Sequence, residues 1–513
     1  MFDLQAAAPA VPDHPWRHAR QARAGFCTVL ALLLLAFLAW FPAAYDGDFA
    51  EYSVTTIALA THATPDLRVN DSATAARLAP NFAAVFGQLG EGIAVGREVP
   101  LPGFIRGRSG YFALHHWTYS ALAAPAYLLL DALGAPPLKC FQALNLAMMI
   151  VLGMCLLRFF QSTLQAAAGL LLFAVCGGVL YWNWTGPEML SAAGLLGAML
   201  LVCSRAPLAA GLLAGLAATQ NPSIAAFAAF GPVLAVLLAR ARGDDWRQEL
   251  RGRAGWRHGA GALLTLVLAG LPFALSMWQF GEPSLIAKYS TSSDFVSWHR
   301  LHSFFLDLNQ GMVSGVPFLM AAALLAGLRK GYAPLAAAAG VFTLLMALPA
   351  LSAYNWNSGA VGMMRYAFWC AMPLLFAVLA ALRELPRWPL YAGLLVLLQA
   401  GCMREAQRYS YVELNRVSQA VLGVAPQLYN PIAEIFTDRV SRTDAPLDES
   451  KVLSWRDANG LVVKTLFHSS NKQIAQRLCG EGAGLGADNR YRKVNAGWVY
   501  LNGPVRCDAS ARG

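Results

Sequence analysis

Long apolar runs dominate the hydropathy pattern of the chain. Several of them reach about 18 to 22 residues, which is enough for a helix to cross about 30 Å of hydrocarbon. They lack the alternation with period 2 that is typical of a membrane β-barrel. The pattern therefore predicts about eleven membrane-spanning helices, at about residues 25–44, 140–158, 164–183, 188–204, 206–219, 222–240, 259–279, 312–328, 333–351, 366–382 and 388–402.

The composition agrees with a membrane protein. Of the 513 residues, 57% are hydrophobic and only 13% are charged, whereas about a quarter of an average soluble domain is charged. A net charge of +10 would favour a nucleic-acid partner in a soluble protein. Here the basic residues cluster in short loops between apolar runs, so membrane topology explains the charge better and no nucleic-acid partner is expected.

The basic loops also predict an orientation. We place the N-terminus in the cytoplasm and the run at 114–134 in the outer interface. The basic loop from Arg240 to Arg257 then falls inside, as the positive-inside rule requires. If 114–134 crossed the membrane instead, every later loop would change sides. The first arrangement leaves the C-terminus outside.

Polar segments therefore gather on the outer side of the membrane. A binding or catalytic site on that side would be built from these segments, because the apolar runs carry few charged groups. The segments are residues 45–113, 181–188, 279–311 and 352–365, joined by the tail from about residue 403.

Local patterns predict regular structure in the first segment and in the tail. Residues 48–62 have the periodicity of an amphipathic helix, and a second short helix is expected at about 73–89. Alternating stretches broken by turn signals predict strands in the tail, at 451–455, 461–467 and 491–501. The predicted fold is an α-helical polytopic membrane domain at 1–403, with its first outer loop at 45–113, and a small soluble α+β or β domain at 404–513.

The tail also contains two cysteines, Cys479 and Cys507. They can form a disulfide if the tail lies in an oxidising compartment. The sequence alone leaves the paired and the free forms open.

Three carboxylates stand close together at the outer end of the first run. Asp46, Asp48 and Glu51 lie within six residues, in the stretch YDGDFAEY at 45–52. One interpretation is structural, because Asp is a common N-cap residue and acidic groups are well solvated at a helix boundary. The other is chemical, because a positioned carboxylate can act as a general base.

Further polar motifs follow the acidic one in order along residues 25–400. They are PDLR at 65–68, HHW at 115–117, YWNWTGPE at 181–188, FGEP at 280–283 and YNWNSGAVGMMRY at 354–366. Their order, and their predicted convergence on one side of the membrane, resembles that of GT-C glycosyltransferases of the protein mannosyltransferase and aminoarabinose transferase type. Phe49 stands where many members of that family carry a second acidic residue.

The resemblance implies an enzyme that moves a sugar from a polyprenyl-phosphate carrier to an extracytoplasmic acceptor, which can be a lipid, a glycan or a protein. It also implies a cell inner membrane and a periplasmic tail. The catalytic carboxylate would be Asp48, with Asp46 as the second choice. Substrate-binding roles are expected for Glu51, His115, His116, Glu188, Lys288, Arg365 and Tyr366.

The expected partners follow from that reaction. They are the lipid-linked sugar donor, membrane lipid and the acceptor. The leaving lipid phosphate needs a cationic partner, for which Arg365 is the first candidate and Lys288 and Arg300 are weaker ones. No cofactor is certain, a divalent cation remains open, and no residue is assigned to metal binding.

Two other classes of function remain as alternatives. One is a non-enzymatic envelope scaffold or flippase, and the other is a secondary transporter. The predicted spans carry few central charges, which disfavours an ion-coupled transporter. The chain contains no GxxxxGK[ST], HExxH or GxSxG motif, which would have indicated other chemistry.

Overall fold

A computed structural model describes residues 15–97, 101–241, 243–249, 251–329, 331–356, 361–444, 446–494 and 496–508. Helices make up 66% of the structure, so the predicted helical class is confirmed. The contacts divide the chain into two compact units. The first comprises Met1–Tyr289, Phe318–Met346 and Trp369–Leu398, and the second comprises Ser290–Pro317, Ala347–Phe368 and Gln399–Gly513.

The α-helices of the chain up to residue 280 run from the N-terminal apolar segment to a long helix that ends beside the first outer loop. They are α1 Pro15–Trp40, α2 Phe49–His62, α3 Val69–Leu78, α4 Ala83–Val95, α5 Thr118–Ala132, α6 Cys140–Phe160, α7 Thr163–Phe173, α8 Val179–Tyr181, α9 Glu188–Cys203, α10 Pro207–Ala218, α11 Phe227–Ala241, α12 Trp246–Glu249 and α13 Gly252–Phe280.

The remaining α-helices follow residue 280, and five of them extend across a boundary between the two units. They are α14 Leu285–Ser290, α15 Trp298–Leu306, α16 Met312–Gly315, α17 Pro317–Leu328, α18 Ala333–Ala350, α19 Arg365–Cys370, α20 Met372–Arg383, α21 Trp388–Ala406, α22 Arg416–Val424, α23 Ala433–Ser441 and α24 Ile474–Cys479.

Several long apolar helices indicate a membrane-embedded protein. Within the described residues, seven helical segments are long and apolar enough to cross a membrane, and three further apolar helices are shorter. The seven are Gln21–Trp40, Pro137–Phe160, Thr163–Tyr181, Pro222–Ala241, Gly252–Phe280, Ala333–Ala350 and Arg365–Arg383, and the shorter three are Glu188–Cys203, Pro207–Ala218 and Pro317–Leu328. All ten coincide with predicted runs. The run predicted at 388–402 forms α21.

In the first unit, small residues allow α10 and α13 to approach each other closely. A side chain at Gly211 would collide with the carbonyl group of Gly261, and the Thr265 hydroxyl donates to the Gly211 carbonyl at 3.1 Å. Close packing through glycine is typical of helices in membranes. It fixes the direction of α13, whose C-terminal end lies against the segment at 45–113 through Gln279, which contacts Arg108 and Ser109.

The C-terminal part of the second unit contains a small antiparallel sheet. Its strand order is β3 (Val452–Arg456), β4 (Val462–His468), β7 (Trp498–Asn502) and β6 (Arg490–Lys493). Helix α23 covers one face, where Phe436, Leu466 and Tyr500 are completely buried. The strand region predicted in the tail is thus confirmed, but the stretch at 491–501 forms two strands rather than one. Gly497, at a φ of +80°, lies in the connection between them, where glycine adopts the left-handed conformation without strain.

The second unit contains further segments besides the tail. The Asn309 side-chain amide donates to the Tyr429 hydroxyl at 2.6 Å. The backbone N–H of Trp356 donates to the Glu434 carboxylate, also at 2.6 Å. Residues 290–317 and 347–368 therefore belong with the tail in one compact unit.

A disulfide joins Cys479, at the end of α24, to Cys507 in strand β8 (Cys507–Asp508), over a sequence separation of 28 residues. Strand β8 pairs with β5 (Gly484–Leu485). Replacing both cysteines with Ala should lower the free energy of unfolding of this region by about 2–4 kcal/mol, because the unfolded chain regains the entropy of an open loop. Hydrogen exchange of the backbone amides in β7 would then be faster. Replacing Cys402, which is a free thiol, is the control, and equal exchange rates in the two variants would contradict the prediction.

Candidate functional site

The segment at 45–113 folds so that His115, two residues after it, returns to the start of α2. Strands β1 (Phe104–Arg106) and β2 (Tyr111–Ala113) form an antiparallel hairpin, whose GRSG turn is closed by the Gly107 N–H donating to the Gly110 carbonyl at 2.7 Å. The pairing continues beyond β2, since the Leu114 N–H donates to the Gly103 carbonyl at 2.8 Å. The residue after Leu114 is thereby held over α2.

Two carboxylates of α2 flank the His115 ring. The Asp48 Oδ2 atom lies 3.3 Å from Nε2, and the Glu51 Oε2 atom lies 2.9 Å from Nδ1. The Glu51 oxygen also accepts the backbone N–H of His115 at 2.9 Å. We call Asp48, Glu51 and His115 the carboxylate–histidine cluster. Its side chains keep 23%, 11% and 21% of their exposure respectively, so Asp48 is partly accessible whereas Glu51 is nearly enclosed.

Asp48 occupies the N-cap position of α2, yet its side chain makes no capping hydrogen bond. Capping is the ordinary reason for an aspartate at that position. Here the carboxylate pairs with His115 instead. The structural interpretation of Asp48 from the sequence is therefore incomplete, because a contact with a residue 67 positions later has taken the place of the local one.

The two contacts constrain the protons in the cluster. A neutral imidazole donates through one ring nitrogen only, whereas an imidazolium donates through both. Both nitrogens of His115 face carboxylate oxygens, which accept when ionised. A protonated His115 between two carboxylates satisfies both contacts and leaves the cluster with one net negative charge. Such a cluster can accept a proton at Asp48 while Glu51 holds the ring in place.

The same three residues can hold a divalent cation. One ligand atom from each lies within 4.8 Å of the others, and two carboxylate oxygens with one imidazole nitrogen suit ions such as Zn²⁺ or Mn²⁺. In that state the ion would replace the ring-to-carboxylate contacts. The residues present thus fit the cation that the sequence left open.

A second polar segment, at 181–188, contacts the residues that directly precede Asp48. The Thr185 hydroxyl donates to the Ala44 carbonyl at 2.9 Å, and a Cβ at Gly47 would lie 2.9 Å from the Trp184 ring. The Asn145 amide, completely buried, donates to the Trp184 carbonyl at 2.9 Å. Glu188 begins α9 directly after this loop and is buried. The loop at 181–188 therefore borders the start of α2.

Gly103 packs directly on the Glu51 carboxylate. Its φ is +93°, and a Cβ there would lie 2.5 Å from Glu51 Oε1 and 2.8 Å from its Cδ. Gly103→Ala should therefore displace Glu51 from His115 and lower activity about tenfold, since one charged hydrogen bond contributes about 1.5 kcal/mol or more. Turnover, measured beside the melting temperature of the same preparation, checks this expectation.

Gly96→Ala is the matched control. Gly96 also has a positive φ, of +68°, but nothing lies within 4 Å of a Cβ built there. Both variants suffer backbone strain of about 1 kcal/mol or more, so only Gly103→Ala should lose activity beyond its loss of stability. Equal losses in the two variants would show that strain alone is responsible.

His116 lies apart from the cluster although it is the next residue. Its side chain is buried, and its carbonyl accepts from the Gln220 amide at 3.2 Å. Burial, helped by the neighbouring His115, lowers the pKa of His116 to about 4. His116 is therefore neutral at neutral pH and cannot attract a phosphate by charge.

The other residues singled out from the sequence have separate environments. Asp46 lies in the exposed segment before α2. Lys288 is exposed and forms an ion pair with Glu282 at 2.8 Å, a surface pair of small energetic value. Arg365 and Tyr366 begin α19 in the second unit, where the guanidinium lies 5.4 Å from the centre of the Tyr366 ring.

Sequence reasoning missed three residues that build this region, namely Gly103, Asn145 and Gln220. Asn145 and Gln220 are polar side chains in or beside apolar runs, and that isolation is the signal that could have drawn attention to them. Gly103 gave no usable signal. Its importance depends on Glu51, which is 52 positions away in the sequence.

Comparison with protein-family models, with curated proteins and with solved structures gave no match for this chain. The order of the sequence motifs and the contacts of the carboxylate–histidine cluster are therefore the features of the chain that bear on its function.

Proposed function

We propose that this protein is a GT-C-type glycosyltransferase of a cell inner membrane. It moves a sugar from a polyprenyl-phosphate carrier to an extracytoplasmic acceptor. The observation that supports this most is the carboxylate–histidine cluster: a partly exposed aspartate that does not cap its helix, paired with a histidine that a nearly enclosed glutamate holds in place. General-base catalysis requires a carboxylate positioned in this way.

In the proposed reaction, Asp48 removes the proton from the acceptor hydroxyl or amine as that atom attacks the anomeric carbon of the donor sugar. A new bond forms from the acceptor to this carbon while the bond from the carbon to the phosphate oxygen breaks, with inversion. The electron pair of the broken bond leaves with the polyprenyl phosphate. The proton on Asp48 then passes to solvent, and the positive charge of His115 stabilises the carboxylate between turnovers.

The leaving phosphate needs cationic or hydrogen-bonding partners, since its charge increases as the bond breaks. The order of the sequence motifs assigns this role to Arg365 and Lys288, and assigns further substrate contacts to Tyr366 and Glu188. A divalent cation, when bound by Asp48, Glu51 and His115, would supply additional positive charge for the phosphate.

The proposed orientation places the N-terminus in the cytoplasm and the tail in the periplasm, with about eleven spans in total. The basic loop at 240–257 supports it through the positive-inside rule. The Cys479–Cys507 disulfide supports it independently, because disulfides persist in oxidising compartments such as the periplasm.

The test uses purified, reconstituted protein. Membrane lipids are extracted from cells that lack the protein, so that unused donor is retained, and are incubated with the protein and an envelope-glycan fraction. We expect mass spectrometry to show a sugar-sized mass gain in one acceptor, with release of free polyprenyl phosphate. A scaffold, a flippase or a transporter forms no glycosyl product, so the absence of any product in the reaction with the reconstituted protein would reject the transferase.

A further inference from the structure

A small cavity borders the carboxylate–histidine cluster. Its volume is about 30 Å³, and His115 and His116 form part of its wall. Thr55 of α2 and Ser276 near the end of α13 line it from two other sides. The cavity is large enough for one water-sized group and too small for a sugar ring.

Three polar atoms around this cavity lack a hydrogen-bond partner. They are the Thr55 hydroxyl, the Ser276 hydroxyl and the Trp117 indole N–H. Thr55 and Ser276 retain only 3% and 7% of their exposure. A buried polar group without a partner is costly and uncommon in a folded protein, so three around one cavity point to a ligand that completes their hydrogen bonds.

The adjacent residue on the same helix provides a comparison. Thr56 is also buried, but its hydroxyl donates to the Tyr52 carbonyl at 2.8 Å within the helix. Thr55, one position earlier on the same helix, has no such bond. The helix therefore satisfies the hydroxyl that faces away from the cavity and leaves unsatisfied the one that lines it.

The lining also defines the charge of the ligand. Among the described residues, no lysine, arginine, aspartate or glutamate lines the cavity, and the charge of a protonated His115 is already balanced by Asp48 and Glu51, so the lining favours a neutral group over a phosphate. A hydroxyl group fits, because it can donate one hydrogen bond and accept others. It can accept from the Trp117 N–H and exchange hydrogen bonds with Thr55 and Ser276.

We propose that this cavity binds one neutral hydroxyl or hydroxymethyl group of a carbohydrate substrate and thereby selects for its presence. The assignment to a carbohydrate depends on the function proposed above, whereas the three unpartnered atoms do not. A site built to bond a hydroxyl discriminates strongly against an analogue without it. The group comes from either the donor sugar or the acceptor.

The first experiment compares stability and requires no activity. Thr55→Val and Ser276→Ala should leave the melting temperature of the full protein unchanged or raise it, because each removes a buried hydroxyl that has no bond in the protein. Thr56→Val, the matched control, should lower it. If Thr55→Val lowers it as much as Thr56→Val does, the hydroxyl is held by a resident structural water, and the proposal is overturned.

The second experiment measures specificity. Farnesyl-phosphate pentoses and hexoses, each with its monodeoxy analogues, serve as donors, and deoxygenated acceptors form a second series. We expect the double variant Thr55→Val/Ser276→Ala to lower kcat/KM about 10- to 100-fold with the parent compound. With the analogue that lacks the one hydroxyl group bound in the cavity, the double variant should not lower kcat/KM at all. Whether this difference occurs in the donor series or in the acceptor series shows which substrate carries the hydroxyl group. If the double variant lowers kcat/KM equally for the parent compounds and for every analogue, the proposal is overturned.

Failure of the transferase function gives a different result. In that case wild type and Asp48→Asn are equally inactive with every donor. Saturation-transfer NMR of the reconstituted protein with the free monosaccharides then decides on the cavity. Contact at one hydroxyl, lost in the double variant, supports the site, whereas identical spectra overturn it.

Discussion

Replacing Asp48 with Asn should slow sugar transfer by about 10²- to 10⁴-fold, the range that a positioned general base contributes. Asparagine has nearly the same shape, and its amide oxygen can still accept from His115 Nε2, which lies 3.3 Å from the native carboxylate. It cannot take up a proton from the acceptor. The effect should therefore appear in kcat, with the melting temperature and the amount of protein in the membrane almost unchanged.

Asp66→Asn is the control for Asp48→Asn. Asp66 belongs to the same outer loop and pairs with Arg68 at 3.3 Å, but it makes no contact with the carboxylate–histidine cluster among the contacts described. The rate of sugar transfer by Asp66→Asn should stay within about twofold of the wild-type rate, since exposed ion pairs contribute little. If Asp48→Asn keeps more than a tenth of the wild-type rate, Asp48 is not the base. If both variants lose activity, the loop responds to any loss of charge rather than to the loss of one base.

The features that could be read from the sequence are those set by local pattern. Hydropathy located the long apolar helices because an apolar run must be helical to satisfy its backbone within a membrane. The periodicity at 48–62 predicted α2, which spans Phe49–His62. The helix expected at 73–89 instead forms α3 and α4 with a break at Pro80, since proline lacks the N–H that would continue the helix.

The site depended on contacts that no local pattern contains. The sequence placed Asp48 and Glu51 on one short stretch, but it could not show that a hairpin of two three-residue strands returns His115 to them. Nor could it show that Asp48 would leave its helix uncapped. A local N-cap hydrogen bond contributes about 1 kcal/mol. In this cluster an ion pair between Asp48 and the His115 ring, which Glu51 holds in place, replaces that hydrogen bond.

Arg300 is a second residue whose contacts no local pattern contains. From the sequence it was a weak candidate for phosphate binding in an outer loop. In the second unit it is almost completely buried, at 1% exposure, and its guanidinium donates to the carbonyls of Leu351 and Ala353, both at 2.6 Å. It also lies 3.7 Å from the Glu434 carboxylate and 4.6 Å from the centre of the Trp356 ring. Burial lowers the pKa of Arg300 to about 10, so it remains charged at neutral pH and acts as an internal cross-link.

Arg300→Met should therefore destabilise the second unit by about 3–5 kcal/mol, the cost of removing one partner of a buried ion pair. Methionine fills much of the space but removes the donor to the two carbonyls and the cation beside the Glu434 carboxylate, which keeps the Trp356 N–H. Faster hydrogen exchange of the backbone amides at 347–356 measures the loss locally, which suits a chain of two units whose unfolding need not be two-state. Arg416→Met is the control, because Arg416 is exposed and forms a long ion pair, of 3.9 Å, with Glu405. This variant should change the free energy of unfolding by about 0.5 kcal/mol or less. If exchange is unchanged in Arg300→Met while the KM for the lipid-linked donor rises, Arg300 binds phosphate and does not cross-link this unit.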